Sequence, residues 1–268
     1  MVRTGHFENL NNHVVICNCN DKAGRIVDEL QNGPPSITPD VVLIIQNRSL
    51  WESHPEWHPS NRSGKLFLTV DGYPTNVSVL HQAGIQRARA AIILADPKQK
   101  DLSDAPSALT AIAIEKQNPQ VHTVMDLIHS VNRRHLEGTD VNEIVCLGDI
   151  SEKLIAQTCI TPGVKNIFDN LMTTEDNTPQ IFLPRIPKSL IGKSYRELAR
   201  LAILKEAPFI LIGFIRNKKD TVSDRQTSLF VINPRKNDDP GRDTPLKPDD
   251  QLALIAYDRP DLKRYLHV

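Results

Sequence analysis

The sequence predicts an α/β fold: a doubly wound, Rossmann-like parallel sheet followed by a second, smaller α+β C-terminal lobe. Two observations predict it. From His13 to about Ile160, six short runs rich in Val and Ile alternate with helical patterns; after Pro179 the chain turns to closely spaced short strands with one helix. The early runs are almost continuously apolar, as strands buried on both faces of a parallel sheet are. In order they read "HVVIC" from His13, "VVLII" from Val41, "LFLTV" from Leu66, "AAIIL" from Ala90, "VHTVMD" from Val121 and "EIVCL" from Glu143. Helical periodicity fills the gaps at 21–31, 75–83, 107–117, 130–136 and 150–159. These boundaries predict a first domain over 1–162 and a crossover helix with a polar linker over 163–178 ("VKNIFDNLMT", then "TEDNTP"). The smaller lobe then covers 179–268, with the Pro-, Gly- and charge-rich 217–247 as a long hairpin loop.

Composition excludes several function classes. Lys+Arg and Asp+Glu both number 32 in a chain of 268 residues, so no net charge draws a polyanion and nucleic acid is not an expected partner. The four cysteines, Cys17, Cys19, Cys146 and Cys159, lack disulfide or metal spacing and read as thiols in a reducing compartment. No run of about 18 apolar residues and no leader pattern occurs, so direct membrane insertion is not expected and the expected location is cytoplasmic.

The opening strand–turn–helix, "HVVICNCNDKAGRIVDEL", has the layout of a dinucleotide-binding βαβ unit, whose turn reads G-x-G-x-x-G/A. Here Asn18, Asn20 and Ala23 stand at those positions. Asparagine visits the left-handed region more readily than other side-chain-bearing residues, so it can keep the turn's shape. It also places a side chain where a pyrophosphate would approach. Ala23 still permits close helix–strand packing; Asp21 opposes an anion at the helix start and Lys22 favours one. At the end of the second predicted strand, where an acid normally binds the ribose, the chain has Gln46, then Asn47 and Arg48. A working cleft would place phosphate at Asn18, Asn20 and Lys22, the ribose at Gln46 and Arg48, and the base at Asp71 and Ala95. An adenine nucleotide (ATP or ADP) is then expected to bind more tightly than NAD; a vestigial, empty cleft is the other reading. His54 and His58 are four apart, but Pro55 and Pro59 break the helix that would align them, which predicts a surface loop.

One stretch resembles a known family. "VDGYPTNVSVLHQAGIQRARAAIILADP" sets Asp71, Thr75, Val79, Leu80, Ala83, Gly84, Ile85 and Ala88 in the order of the RCK/TrkA-N domains, regulators of potassium conductance, with Asp71-Gly72 in place of Gly-Asp. "LIGKSYRELARLAILKEAPFILIGFIRN" and "LKPDDQLALIAYDRP" resemble the companion RCK-C (TrkA-C) lobe, with Asp250 and Leu252 matching its last turn. The resemblance implies a non-enzymatic, cytosolic gating ring: a homo-oligomer that senses a small effector and acts on the pore of a potassium channel or transporter subunit. It also implies calcium as a rival effector, with Asp96, Asp104 and Asp126 as metal candidates, although Ile128 replaces a further acid. A soluble dinucleotide-dependent oxidoreductase and a structural oligomerisation module with dead pockets are the alternatives.

Overall fold

The computed structural model describes residues 3–33, 38–59, 66–95, 104–136, 139, 141–175, 177–219 and 226–266. It divides into two units, residues 1–165 with 174–176 and residues 166–173 with 177–268.

Unit 1 holds β1 (Arg3–Thr4), β2 (Val14–Cys17), α1 (Ala23–Asn32), β3 (Val41–Ile45), α2 (Arg48–Ser53), β4 (Phe67–Asp71) and α3 (Val77–Gln82). It continues with β5 (Ala90–Ile93), α4 (Asp104–Gln117), β6 (His122–Leu127), β7 (Glu143–Cys146) and α5 (Leu147–Ile160). The strands form one parallel sheet in the order β1-β4-β3-β2-β5-β6-β7. Alternation divides each strand between two cores. Val15, Cys17, Val42 and Ile44 pack into one. Val14, Ile16, Val41, Leu43 and Ile45 pack into the other, so every residue of β2 and β3 is buried.

All six expected strands of the sheet form, and β1, a two-residue edge strand beside β4, adds a seventh. The expected helix at 130–136 is a 3-10 helix, Ser130–Leu136. The surface loop expected around His54 is instead largely ordered. Asn47 caps α2 by accepting from the Leu50 N–H, α2 ends at Ser53 ahead of Pro55, and a 3-10 turn, Pro55–Trp57, follows. The prolines only shorten the helix, because Trp51 and Trp57 are buried and hold the segment down.

Unit 2 takes α6 (Val164–Met172) from Asn166 onward, then β8 (Gln180–Phe182), α7 (Tyr195–Leu204), β9 (Phe209–Lys219), β10 (Gln226–Ile232), β11 (Gln251–Ala256) and α8 (Leu262–Leu266). Its sheet is antiparallel, ordered β10-β9-β11-β8. A capping box fixes the start of α7, with Ser194 and Glu197 each bonding the other's backbone. The core gathers Phe214, Leu198, Leu252 and Leu254. Beside it, Arg216 and Asp250 form a buried ion pair: Nη2 lies 2.6 Å and Nε 3.1 Å from the carboxylate, with 7% and 1% of the side chains exposed. Asp250 also accepts from the Lys247 N–H, and Arg216 donates to the Pro245 carbonyl. The arms of the expected hairpin reach further than predicted, since Gln226 pairs with Lys219.

Asp250→Ala should destabilise unit 2 by about 3–5 kcal/mol in urea unfolding, because it leaves a buried guanidinium uncompensated. A second outcome concerns His13, which is fully buried; its Nε2 donates to the Ala83 carbonyl, while Nδ1 has no hydrogen-bond partner among the described residues. Burial pushes its pKa down, against smaller upward effects from the Ala83 bond and Asp40. Because the folded pKa lies below the unfolded value of about 6.5, the unfolded state binds more protons between the two. Stability is therefore full above pH 6.5 and falls as pH drops through that value. The urea midpoint of unit 1 should shift down between pH 7.5 and 5.5, and less so in His13→Gln.

Candidate functional site

The sheet order reverses between β2 and β5, and a crevice at such a seam, beyond the carboxyl ends of the strands, is where open α/β sheets take ligands. The turn after β2 enters this crevice. Asn18 has φ 67°, so the left-handed turn is made without glycine. Its amide bridges the seam: Nδ2 donates to the Leu94 carbonyl at 2.6 Å, and Oδ1 accepts from Gln46 Nε2 at 2.5 Å. Asn20 donates to the Ala95 carbonyl at 2.8 Å and accepts from the Lys22 N–H at 2.9 Å. Both asparagines are buried. The ends of β2, β3 and β5 are thus linked by side chains.

Two ion pairs flank this staple. Lys22 Nζ lies 2.7 Å from Asp126 Oδ2, and the same oxygen accepts from the Ala95 N–H at 3.4 Å. Arg48 Nη2 lies 2.7 Å from Asp71 Oδ1 and also donates to Thr69 Oγ1. The sequence offered Arg48 no acidic neighbour; the fold supplies one from β4, whose register puts Asp71 beside Ile45. All seven residues expected to line a nucleotide cleft therefore lie near these strand ends, and each of the two cations already faces an acid. Burial raises the Cys17 and Cys19 thiols to about 12, which keeps both protonated and unreactive.

The metal candidates do not gather. Asp126 holds Lys22, while Asp104 accepts from Asn132 Nδ2 at 2.6 Å and from the Ile128 N–H at 3.3 Å. Asp96 lies outside the described residues. Among the described residues, no group of three or more His, Cys, Asp or Glu side chains could hold a metal ion. His54 and His58 are accounted for otherwise: they stack on Trp57 and Trp51 at 4.2 and 4.3 Å and bond the Leu50 and Trp51 carbonyls.

Sequence reasoning missed the partners rather than the positions. Leu94 and Ala95 act through their backbone, which no side-chain pattern reveals. The Lys22–Asp126 pair spans 104 positions; its one sequence signal is an acid near the end of a strand that neighbours the seam. Chemically, the arrangement is a neutral, hydrogen-bonded lid over the anion position at the start of α1. An entering phosphate must compete with Asp126 for Lys22 or with Asp71 for Arg48.

Asn18→Ala should cost about 2–3 kcal/mol, from φ strain plus the partners it orphans, and Asn18→Gly less, because glycine keeps the backbone angle. Urea unfolding of both variants tests the order. Arg48→Ala should change stability by no more than about 1 kcal/mol, since the Arg48–Asp71 pair is partly exposed and surface pairs are weak.

The chain has recognisable relatives. The family model described as the calcium-activated potassium channel slowpoke-like RCK domain matches residues 9–125. The chain is 27% identical over 180 residues to the calcium-gated potassium channel TvoK of Thermoplasma volcanium, covering 65% of this chain and 48% of that one. It is 24% identical over 264 residues to the probable ion channel POLLUX of Arabidopsis thaliana, covering 96% of this chain and 30% of the other. Among solved structures, the human SLO3 gating ring superposes with a TM-score of 0.65 at 17% identity, over 96% of this chain and 46% of that one. The chain spans less than half the length of each of these relatives. The family match lies across the seam and its strands, and over residues 9–125 the chain is similar to an RCK domain.

Proposed function

We propose that this chain is an effector-sensing regulatory module of a potassium channel or transporter, working on the cytosolic side of the membrane as part of a homo-oligomeric gating ring. The observation that carries this reading is the slowpoke-like RCK match over 9–125. Among the described residues no helix is long and apolar enough to cross a membrane. The effector acts through a difference in affinity between two states of the ring. A hydride-transfer role is disfavoured, because Gln46 stands where the ribose acid would and its amide is committed to Asn18.

The effector is an adenine nucleotide in preference to NAD. Lys22 at the phosphate end of the crevice and Arg48 at its ribose end are each held by an acid that a phosphate can displace. Calcium is the second reading, favoured by the burial of Asp104 and Asp126; it would require Lys22 to leave Asp126.

Calorimetry should give tighter binding for ATP or ADP than for NAD, and Lys22→Ala or Arg48→Ala should weaken it about tenfold, or about 1.4 kcal/mol. No heat with any nucleotide at millimolar concentration would mean that the crevice is vestigial, and a calcium titration then tests the second reading. Light scattering at micromolar concentration should report at least twice the chain's mass. A monomer there would overturn the ring.

A further inference from the structure

The outer strand of a sheet presents a row of unpaired backbone N–H and C=O groups, and folded chains guard such edges with shortness, proline or charge. The two sheets have four edges among the described residues, and three of them are guarded. β1 has two residues. β7 has four and opens on the exposed Glu143. β8 has three and is flanked by Pro179 and Pro184. The fourth edge, β10, is seven residues long and reads "QTSLFVI". It contains no charge, no proline and no glycine. Phe230 is 60%, Ile232 57% and Leu229 38% exposed along it. A long, neutral edge rich in β-forming residues is a pairing site unless something covers it.

We infer that β10 pairs antiparallel with β10 of a second copy, about a two-fold axis through Phe230. This rests on the self-association proposed above and adds to it a contact made by backbone at a strand edge. The strand itself favours its own copy over a foreign one. An uncharged edge does not repel its duplicate, whereas an edge bearing Lys or Glu near the axis sets like charges opposite each other. The side chains also match across the axis. Val231 packs toward the core of unit 2, so Leu229 shares its face, and Ser228, Phe230 and Ile232 take the other. With Phe230 opposite Phe230, Leu229 meets Val231 and Ser228 meets Ile232. Each residue then faces one from its own side of the sheet, and an aromatic pair lies on the axis. The two four-stranded sheets run on into one of eight, a size that open sheets reach. The only edges left on that sheet are the two copies of β8, which proline and shortness guard, so the contact closes as a dimer instead of growing into a fibre.

Phe230→Lys and Phe230→Glu, each made in the full chain, put like charges across the axis. Each should weaken the contact about tenfold or more and lower the light-scattering mass at micromolar concentration. A one-to-one mixture of the two should return the parent's mass, because lysine then faces glutamate. Phe230 is exposed, so the melting transition of each variant should stay in place. Amide hydrogen exchange reads the same contact in the parent: protection over 226–232 should rise with protein concentration while that of β11 stays constant. Parental mass in both variants at every concentration, or a loss that mixing does not reverse, overturns the edge pairing and leaves the ring reading standing. Protection of β10 that does not depend on concentration does the same. A parent that is monomeric at micromolar concentration overturns both.

Discussion

The seam between β2 and β5 imposes the constraint on which the crevice at the strand ends depends. There the chain must leave β2 through a left-handed residue, and the carbonyls of Leu94 and Ala95 at the end of β5 need donors. Glycine would satisfy the first demand alone. Asn18 meets the first and shares the second with Asn20: it reaches φ 67° and its amide bonds Leu94 and Gln46, while Asn20 serves Ala95. Once that amide is committed, Gln46 Nε2 is held on Asn18, and Asn20 bonds the Ala95 carbonyl and the Lys22 N–H at the start of α1. The crevice is therefore wired by neutral side chains, and its charges are displaced to the flanks.

Those flanking charges differ in how tightly they are held. Asp71 is half exposed, so its hold on Arg48 is screened by water. Asp126 is one-tenth exposed and is fixed further by the Ala95 N–H, so its hold on Lys22 is stronger. A ligand that needs only Arg48 meets a low barrier; one that needs Lys22 must also leave a carboxylate uncompensated in a buried place. Selectivity in such a crevice is set as much by the ease of parting each pair as by the shape of the ligand.

Most of the sheet was legible because its strands are buried on both faces, which leaves runs such as "VVLII" that resemble little else. β1 was not legible: two residues pairing with β4 carry no periodicity. Pro55 was read as a breaker of a whole segment, yet it only ended α2, because Trp51 and Trp57 anchor both sides of it. At the site, the left-handed turn could be anticipated from Asn18 itself, since few other residues tolerate that angle. The pairing of Arg48 with Asp71 and of Lys22 with Asp126 could not, because strand register decides it and register is a property of the assembled sheet.

Gly24 sits in the first turn of α1, where a Cβ would lie 2.2 Å from the Trp57 carbonyl oxygen. The helix that begins at the crevice and the loop that follows β3 are thus locked in backbone-to-backbone contact. Over evolutionary time this makes them a single inherited unit. The loop cannot be lengthened, exchanged or shifted without reopening the space above residue 24, and residue 24 cannot gain a side chain until the loop has moved. Sequence change near the crevice is channelled away from this corner, toward positions such as the half-exposed Asp71 at the end of β4.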